Sequence, residues 1–193
     1  MKLVTYSESK RKPVQIGILA KDGSIIDLAR AAKKARVKLP FAADDMIALI
    51  AAGRAGLAAA KKAVAGLKTG HHAQNRVVLH APIPRPRKNV FCVGWNYLEH
   101  FEEGAKARPH VQEMPAHPAF FSKAPTTVNG PYSDVPAHAG VTEKLDWEVE
   151  LAVVIGKGGT NIAEAAAMKH IFGYAVANDV SAREVQRRHG QQW

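Results

Sequence analysis

One cysteine, Cys92, occurs in 193 residues. A lone thiol closes no internal disulfide, so a disulfide-stapled scaffold is excluded and the chain offers no redox framework. No apolar run reaches the length that crosses a bilayer; the longest, Leu151–Gly156, reads as a buried strand. Residues Met1 to Ser7 lack the basic-then-apolar layout of a secretory signal. These absences predict a cytoplasmic protein with no membrane partner. Aromatic residues make up 7% of the chain, too few in its basic half to form a base-stacking platform. What is present is ordinary for a globular fold: 47% apolar and 23% charged residues.

The net charge of +10 is unevenly placed. Residues 1–90 carry 18 Lys/Arg against 5 Asp/Glu, whereas residues 91–193 carry 9 against 12. A basic half invites a nucleic-acid reading. With few aromatics and no Cys/His finger spacing, a solvated basic surface fits better. That surface would also attract a small anionic substrate.

Along the chain, Leu3–Tyr6, Val14–Leu19 and Ser24–Leu28 are β-rich, and Lys21-Asp22-Gly23 is a turn signal, so a small meander is expected. Residues 31–40 read as loop or short helix. Asp44 and Asp45 precede a helix that stops at Gly53, and the Ala/Lys-rich Ala55–Leu67 forms another. His71 and His72 fall in a predicted surface loop. Val77–Leu79 is a strand, and Pro82–Pro86 is an extended segment. The domain boundary is placed there: a small N-terminal α/β domain over 1–82 and a β-rich catalytic portion over 83–193. In the second portion Asn89–Gly94 reads as a buried strand, Asn96–Ala107 as loop turning into helix, and Ala119–Ser122 as a strand. Trp147–Ile155 is the strongest strand in the chain. Asn161 with Glu164, and Ser181 with Glu184, carry the spacing of helix-opening capping boxes.

Three clusters carry chemistry. In Asp146-Trp147-Glu148-Val149-Glu150, strand alternation predicts three carboxylates on one face. Like charges so close raise one another's pKa unless a cation compensates. All-oxygen ligation suits Mg²⁺ or Mn²⁺, with Ca²⁺ a further fit; a solvated strand face is the alternative. In Asn178-Asp179-Val180-Ser181-Ala182-Arg183, Asp179 sits where a strand gives way to a helix, a place where ligands bind. Arg183 and Gln186 share a helix face, and an Arg–amide pair suits a carboxylate; a helix cap and a surface ion pair are the alternatives. In Trp95-Asn96-Tyr97-Leu98-Glu99-His100-Phe101-Glu102-Glu103, a helix would bring His100 and Glu103 together as a base and its orienting carboxylate. A surface pair is the alternative.

Taken in order, Cys92–His100, Phe120-Phe121-Ser122-Lys123, Asp146–Lys157, Gly173-Tyr174 and Asn178–Arg183 resemble the fumarylacetoacetate hydrolase family over residues 89–193. The resemblance implies an α+β fold: an FAH-type mixed β-roll or sandwich core, incomplete at Trp193, behind the small N-terminal domain. It implies a metal held by Glu148, Glu150 and Asp179, with Asp146 behind them. His100 becomes the water-activating base and Glu103 its orienting partner. Lys123, Arg183 and Gln186 look toward the substrate. The expected reaction is metal-dependent hydrolysis of a C–C bond in a small 2-oxo or 1,3-diketo acid. The alternative within the class is hydration, isomerisation or decarboxylation of 2-oxo acids in aromatic catabolism. The alternative from another class is an inactive metal-binding or nucleic-acid-binding remnant. Family members also imply a homodimer.

Overall fold

The structure is a computed structural model that describes residues 1–99, 101–102 and 116–188. The chain divides into two compact units. The first takes residues 1–84, 129–136 and 146–181; the second takes the described residues of 85–128, 137–145 and 182–193. Among the described residues no helix is long and apolar enough to cross a membrane.

The first unit opens with the expected meander. Strands β1 (Lys2–Ser7), β2 (Gln15–Leu19) and β3 (Ile25–Asp27) are joined by β4 (Val78–His80) in an antiparallel sheet of order β3-β2-β1-β4. The predicted turn forms: Asp22 Oδ1 accepts from the Ser24 backbone N–H at 3.0 Å, and Gly23 takes φ +81°. Helix α1 (Leu28–Ala35) follows β3 directly, earlier than the sequence predicts. Asp27 caps it by accepting from Arg30 N–H at 2.7 Å. Asp45 caps α2 (Met46–Ala51) through the Ile47 and Ala48 amides. Gly53, predicted as a stop, instead takes φ +53° and opens α3 (Gly53–Ala63), so the chain turns without losing its helix. Ile16, Ile18 and Ile26 from the sheet pack with Leu28, Ala31, Ala32, Met46, Leu49, Ile50, Ala60 and Ala63 from the helices.

His71 and His72 are more than a surface loop. The Ile25 amide donates to His72 O at 2.8 Å, and the His71 amide donates to Ile25 O at 2.8 Å, so this segment lies against β3 as a short extra strand. Glycine is required at position 70, because a Cβ there would run into the Ile25 backbone. Asp27 is the hub of this corner. Its N–H donates to His71 Nδ1 at 3.0 Å, and its Oδ2 accepts from the fully buried Tyr6 hydroxyl at 2.9 Å. Burial first, then the Asp27 hydrogen bond, raises the Tyr6 phenol well above its usual pKa.

The first unit also contains the hairpin of β8 (Val149–Ile155) and β9 (Ile171–Asn178). The two are antiparallel, in register from Val149↔Asn178 to Val154↔Gly173, with an irregularity before Ile155↔Ile171. Val154 and Phe172 pack against the N-terminal core. The sequence predicts one strand over 147–155; the observed strand starts only at Val149, because the chain leaves the ladder at Trp147 and Glu148. Alternation survives with an unexpected sense. Glu148, Glu150, Ala152 and Val154 are half-buried, while Trp147 (70%), Val149 (66%) and Leu151 (58%) are exposed, as is Val176 (81%) on β9. The apolar run after the glutamates therefore does not sink wholly into the core.

In the second unit β5 (Val90–Gly94) pairs antiparallel with β6 (Ala119–Lys123), from Val90↔Lys123 to Gly94↔Ala119. The expectation of a buried strand at 89–94 is corrected: Phe91 and Phe120 are largely exposed. Residues 98–99 and 101–102 are helical, as the loop-to-helix reading predicts. Two further short strands, β7 (Leu145–Asp146) and β10 (Ser181–Ala182), pair with each other, and Asp146 and Ser181 count with the first unit. Neither capping box forms. Asn161 takes a left-handed φ of 52°, and the helix Glu164–Ala167 begins after Ala163 with no side-chain cap. Ser181 lies in β10, its hydroxyl donating to Asp179 O at 3.2 Å, and the helix starts at Arg183.

The hub at Asp27 yields a pH prediction. His71 Nδ1 accepts a proton-bearing amide, so the ring must be neutral with its proton on Nε2. Burial, then the Arg30 charge, lowers its pKa from the usual imidazole value. The folded chain thus binds fewer protons here than the unfolded chain. The stability this contributes is full above about pH 6.5, the unfolded value, and is lost as pH falls through the folded value. His71→Ala should lower urea-unfolding stability at pH 7.5 by about 1 kcal/mol or less, and should flatten the fall in stability below pH ~6.5. An unchanged slope in the variant would contradict the assignment.

Candidate functional site

Where the β8–β9 ladder ends, it sets two of the predicted ligand residues opposite each other. Val149 faces Asn178, so the next position on each strand sets Glu148 against Asp179. The contact is direct: the Asp179 backbone N–H donates to Glu148 O at 2.9 Å. In the other direction, Glu148 N–H donates to Asn178 Oδ1 at 3.1 Å. Glu150 lies two residues along β8, opposite Ala177, and is half-buried like Glu148 and Asp179. Asp179 Oδ1 is buried and accepts no hydrogen bond. Burying a carboxylate oxygen is costly unless a proton donor or a cation compensates it.

Asp146 does not share a continuous strand with Glu148 and Glu150. It belongs to β7, and its Oδ1 accepts from the Trp147 N–H at 3.0 Å. The expectation of three carboxylates on one continuous strand face is therefore corrected. The strand breaks at 147–148, and period-two alternation does not carry across a break. Among the described residues, no three His, Cys, Asp or Glu side chains are gathered as a ready metal cage. The donor chemistry nonetheless fits a hard cation: three carboxylate residues, two of them facing each other across the ladder end and one with a buried Oδ1.

The second unit holds a separate polar arrangement. Arg183 and Gln186, three residues apart on the helix Arg183–Arg188, meet as the spacing predicts: an Arg183 guanidinium N–H donates to Gln186 Oε1 at 3.3 Å. That contact orients the guanidinium plane. The helix is tied down by Glu184. Its Oε2 accepts from the buried Thr142 hydroxyl at 2.9 Å and from the Glu143 amide at 3.0 Å. The Arg183 amide adds a bond to Lys144 O at 3.0 Å. The Glu143 amide first, then the Thr142 hydroxyl, holds the Glu184 carboxyl below its usual pKa. Spacing from Ser181 suggested a cap; two donors on segment 142–143 compete better for this carboxylate than one amide at Ser181.

Lys123 closes β6 opposite Val90 and is half-buried. The predicted base His100 and its partner Glu103 lie outside the described residues. A shallow cleft lined by Gln74, Val77, Leu79 and Tyr132 contains none of the candidate residues. Sequence reasoning missed Asn178 and the Thr142–Glu184 tie; the first had a signal, an amide residue placed beside a candidate ligand.

The model of the fumarylacetoacetate (FAA) hydrolase C-terminal domain matches residues 89–193, more than half of the chain. The chain belongs to the fumarylacetoacetate hydrolase family. It is 40% identical over 184 residues to oxaloacetate tautomerase YisK of Bacillus subtilis, covering 91% of this chain and 59% of that protein. It is 40% identical over 155 residues to the human mitochondrial oxaloacetate tautomerase FAHD2A, covering 80% of this chain and 46% of that one. Among solved structures, the fumarylacetoacetate hydrolase of Exiguobacterium antarcticum superposes with a TM-score of 0.72 at 29% identity, over 100% of this chain and 60% of its own. The chain thus spans about half the length of these relatives, and its mixed helices and sheets follow the family fold.

Removing the tie is predicted to loosen the segment it holds. Glu184→Ala should speed hydrogen exchange at the Glu143 amide about tenfold or more while leaving β8–β9 amides protected. Unchanged exchange at Glu143 would show that the tie is not formed in solution.

Proposed function

We propose that this protein interconverts the keto and enol forms of a small 2-oxo acid of the oxaloacetate type, assisted by a divalent cation. The observation that carries the reading is the meeting of Glu148 and Asp179 at the end of the β8–β9 ladder, with Glu150 on the same half-buried side. The choice of tautomerisation over hydrolysis draws on the activity named for the two relatives at 40% identity. In this reading residues 83–193 carry the chemistry, and residues 1–82 form an accompanying domain.

Tautomerisation moves one proton from the enol oxygen and delivers one to the neighbouring carbon; the C=C bond becomes C–C and the C–O bond becomes C=O. No carbon–carbon bond breaks and no water is consumed. Glu148, Glu150 and Asp179 would hold Mg²⁺ or Mn²⁺. A hard divalent cation, when bound, lowers the cost of negative charge on the 2-oxo oxygen. Arg183, with its guanidinium oriented by Gln186, binds the substrate carboxylate. Lys123 supplies positive charge to a second carboxylate. His100, oriented by Glu103, carries the proton to and from carbon.

The second reading is C–C hydrolysis of an acylpyruvate or fumarylacetoacetate-like acid, favoured by the likeness to the Exiguobacterium hydrolase. It requires His100 to activate a water as well.

The two readings separate in one assay set. The enol absorbance of oxaloacetate should decay faster with protein and Mn²⁺ than with Mn²⁺ alone, and acylpyruvates should remain intact. Release of pyruvate from acylpyruvates would instead select hydrolysis; inertness toward both would reject both. His100→Ala should reduce turnover by roughly 10²-fold or more with Mn²⁺ affinity nearly unchanged, whereas Glu148→Gln should weaken Mn²⁺ binding itself. Loss of Mn²⁺ binding in His100→Ala, or full binding in Glu148→Gln by calorimetry, would contradict these roles.

A further inference from the structure

The break in the strand at 147–148 is closed by side chains. Two successive backbone amides leave the ladder there, and each is given a side-chain acceptor: Trp147 N–H goes to Asp146 Oδ1 and Glu148 N–H goes to Asn178 Oδ1. Glu148 O is taken up by the Asp179 amide. Glu148 is therefore outside the strand yet has both backbone groups fixed, and both partners belong to the consecutive residues Asn178 and Asp179.

We infer that Asn178 is a positioning residue: its side chain clamps the Glu148 backbone against Asp179, so that the two carboxylates present a preset spacing to a hard cation. The inference rests on the cation reading above. A residue that leaves a ladder normally gains freedom about φ and ψ, and a ligand on a loose backbone binds a cation less tightly because the order must be imposed on binding. The bond from Asp179 N–H fixes the Glu148 carbonyl, and the bond to Asn178 fixes its amide. The residue type is also specified. The position needs an acceptor that reaches across the ladder end, which both Asn and Asp offer. Asp would add a fourth acidic residue beside Glu148, Glu150 and Asp179 and increase their mutual repulsion. Asn provides the acceptor with no charge. Asn178 is exposed, so the clamp contributes little to the core and its removal is a mild change to the fold.

The test is Mn²⁺ titration of the 193-residue chain, followed by calorimetry and by electron paramagnetic resonance of the free ion, with the metal-free unfolding midpoint measured in parallel. Asn178→Ala should weaken Mn²⁺ binding about three- to tenfold with the metal-free midpoint unchanged. Asn178→Ser, which keeps a shorter oxygen acceptor, should fall between the alanine variant and the wild type. Equal Mn²⁺ affinity in wild type and Asn178→Ala would overturn the positioning role and leave the cation reading standing. A drop in the metal-free midpoint that accounts for the weaker binding would assign the bond to fold stability and overturn it too. Absence of Mn²⁺ binding by the wild type would overturn the cation reading and this inference with it.

Discussion

The antiparallel register of β8 on β9 is the constraint on which the rest of the candidate site depends. A shift of one residue would turn Glu148 and Glu150 to the opposite face and set Asp179 against Trp147 or Val149 instead. Two features hold the register. At one end Val154 and Phe172 pack into the N-terminal core, so slippage would pull apolar side chains out of contact. At the other end the Glu148–Asp179 and Glu148–Asn178 bonds fix the final pair. The N-terminal core therefore stabilises the placement of carboxylates far from it in sequence.

Charge and burial act together at that end. Carboxylates half-covered by protein cannot all rely on water, and burial of Asp179 Oδ1 raises the cost. In the proposed reading a hard cation would offset that cost. Other carboxylate residues among the described residues have hydrogen-bond roles of their own: Asp27 bonds Tyr6, Arg30 and His71, and Glu184 bonds Thr142 and Glu143.

Much of this was legible in the chain. Alternation and turn chemistry gave the first three strands, because local propensity and burial agree there. Asp45 marked the start of α2, since a cap needs only its own neighbours. The i, i+3 spacing of Arg183 and Gln186 gave their contact. The capping box at Ser181 failed because a side chain that can cap locally can also bond a distant segment, and Glu184 does so; at Asn161 the backbone is left-handed and the helix starts only after Ala163. The apolar run of β8 read as buried, whereas its Trp147–Ile155 row is exposed among the described residues; periodicity reports that two faces differ, not which of them is covered.

The sequence by itself determined the family and the course of the N-terminal meander, because motifs and periodicities are properties of neighbouring residues. Only the tertiary structure decided that the strand breaks at Trp147–Glu148, so that Asp146 lies in a separate strand, and that Asn178 rather than a strand neighbour receives the Glu148 amide. Those outcomes depend on which strand lies alongside and in what register. Contacts thirty residues apart in the chain are chosen by packing and hydrogen-bond competition, which spacing along one strand does not encode.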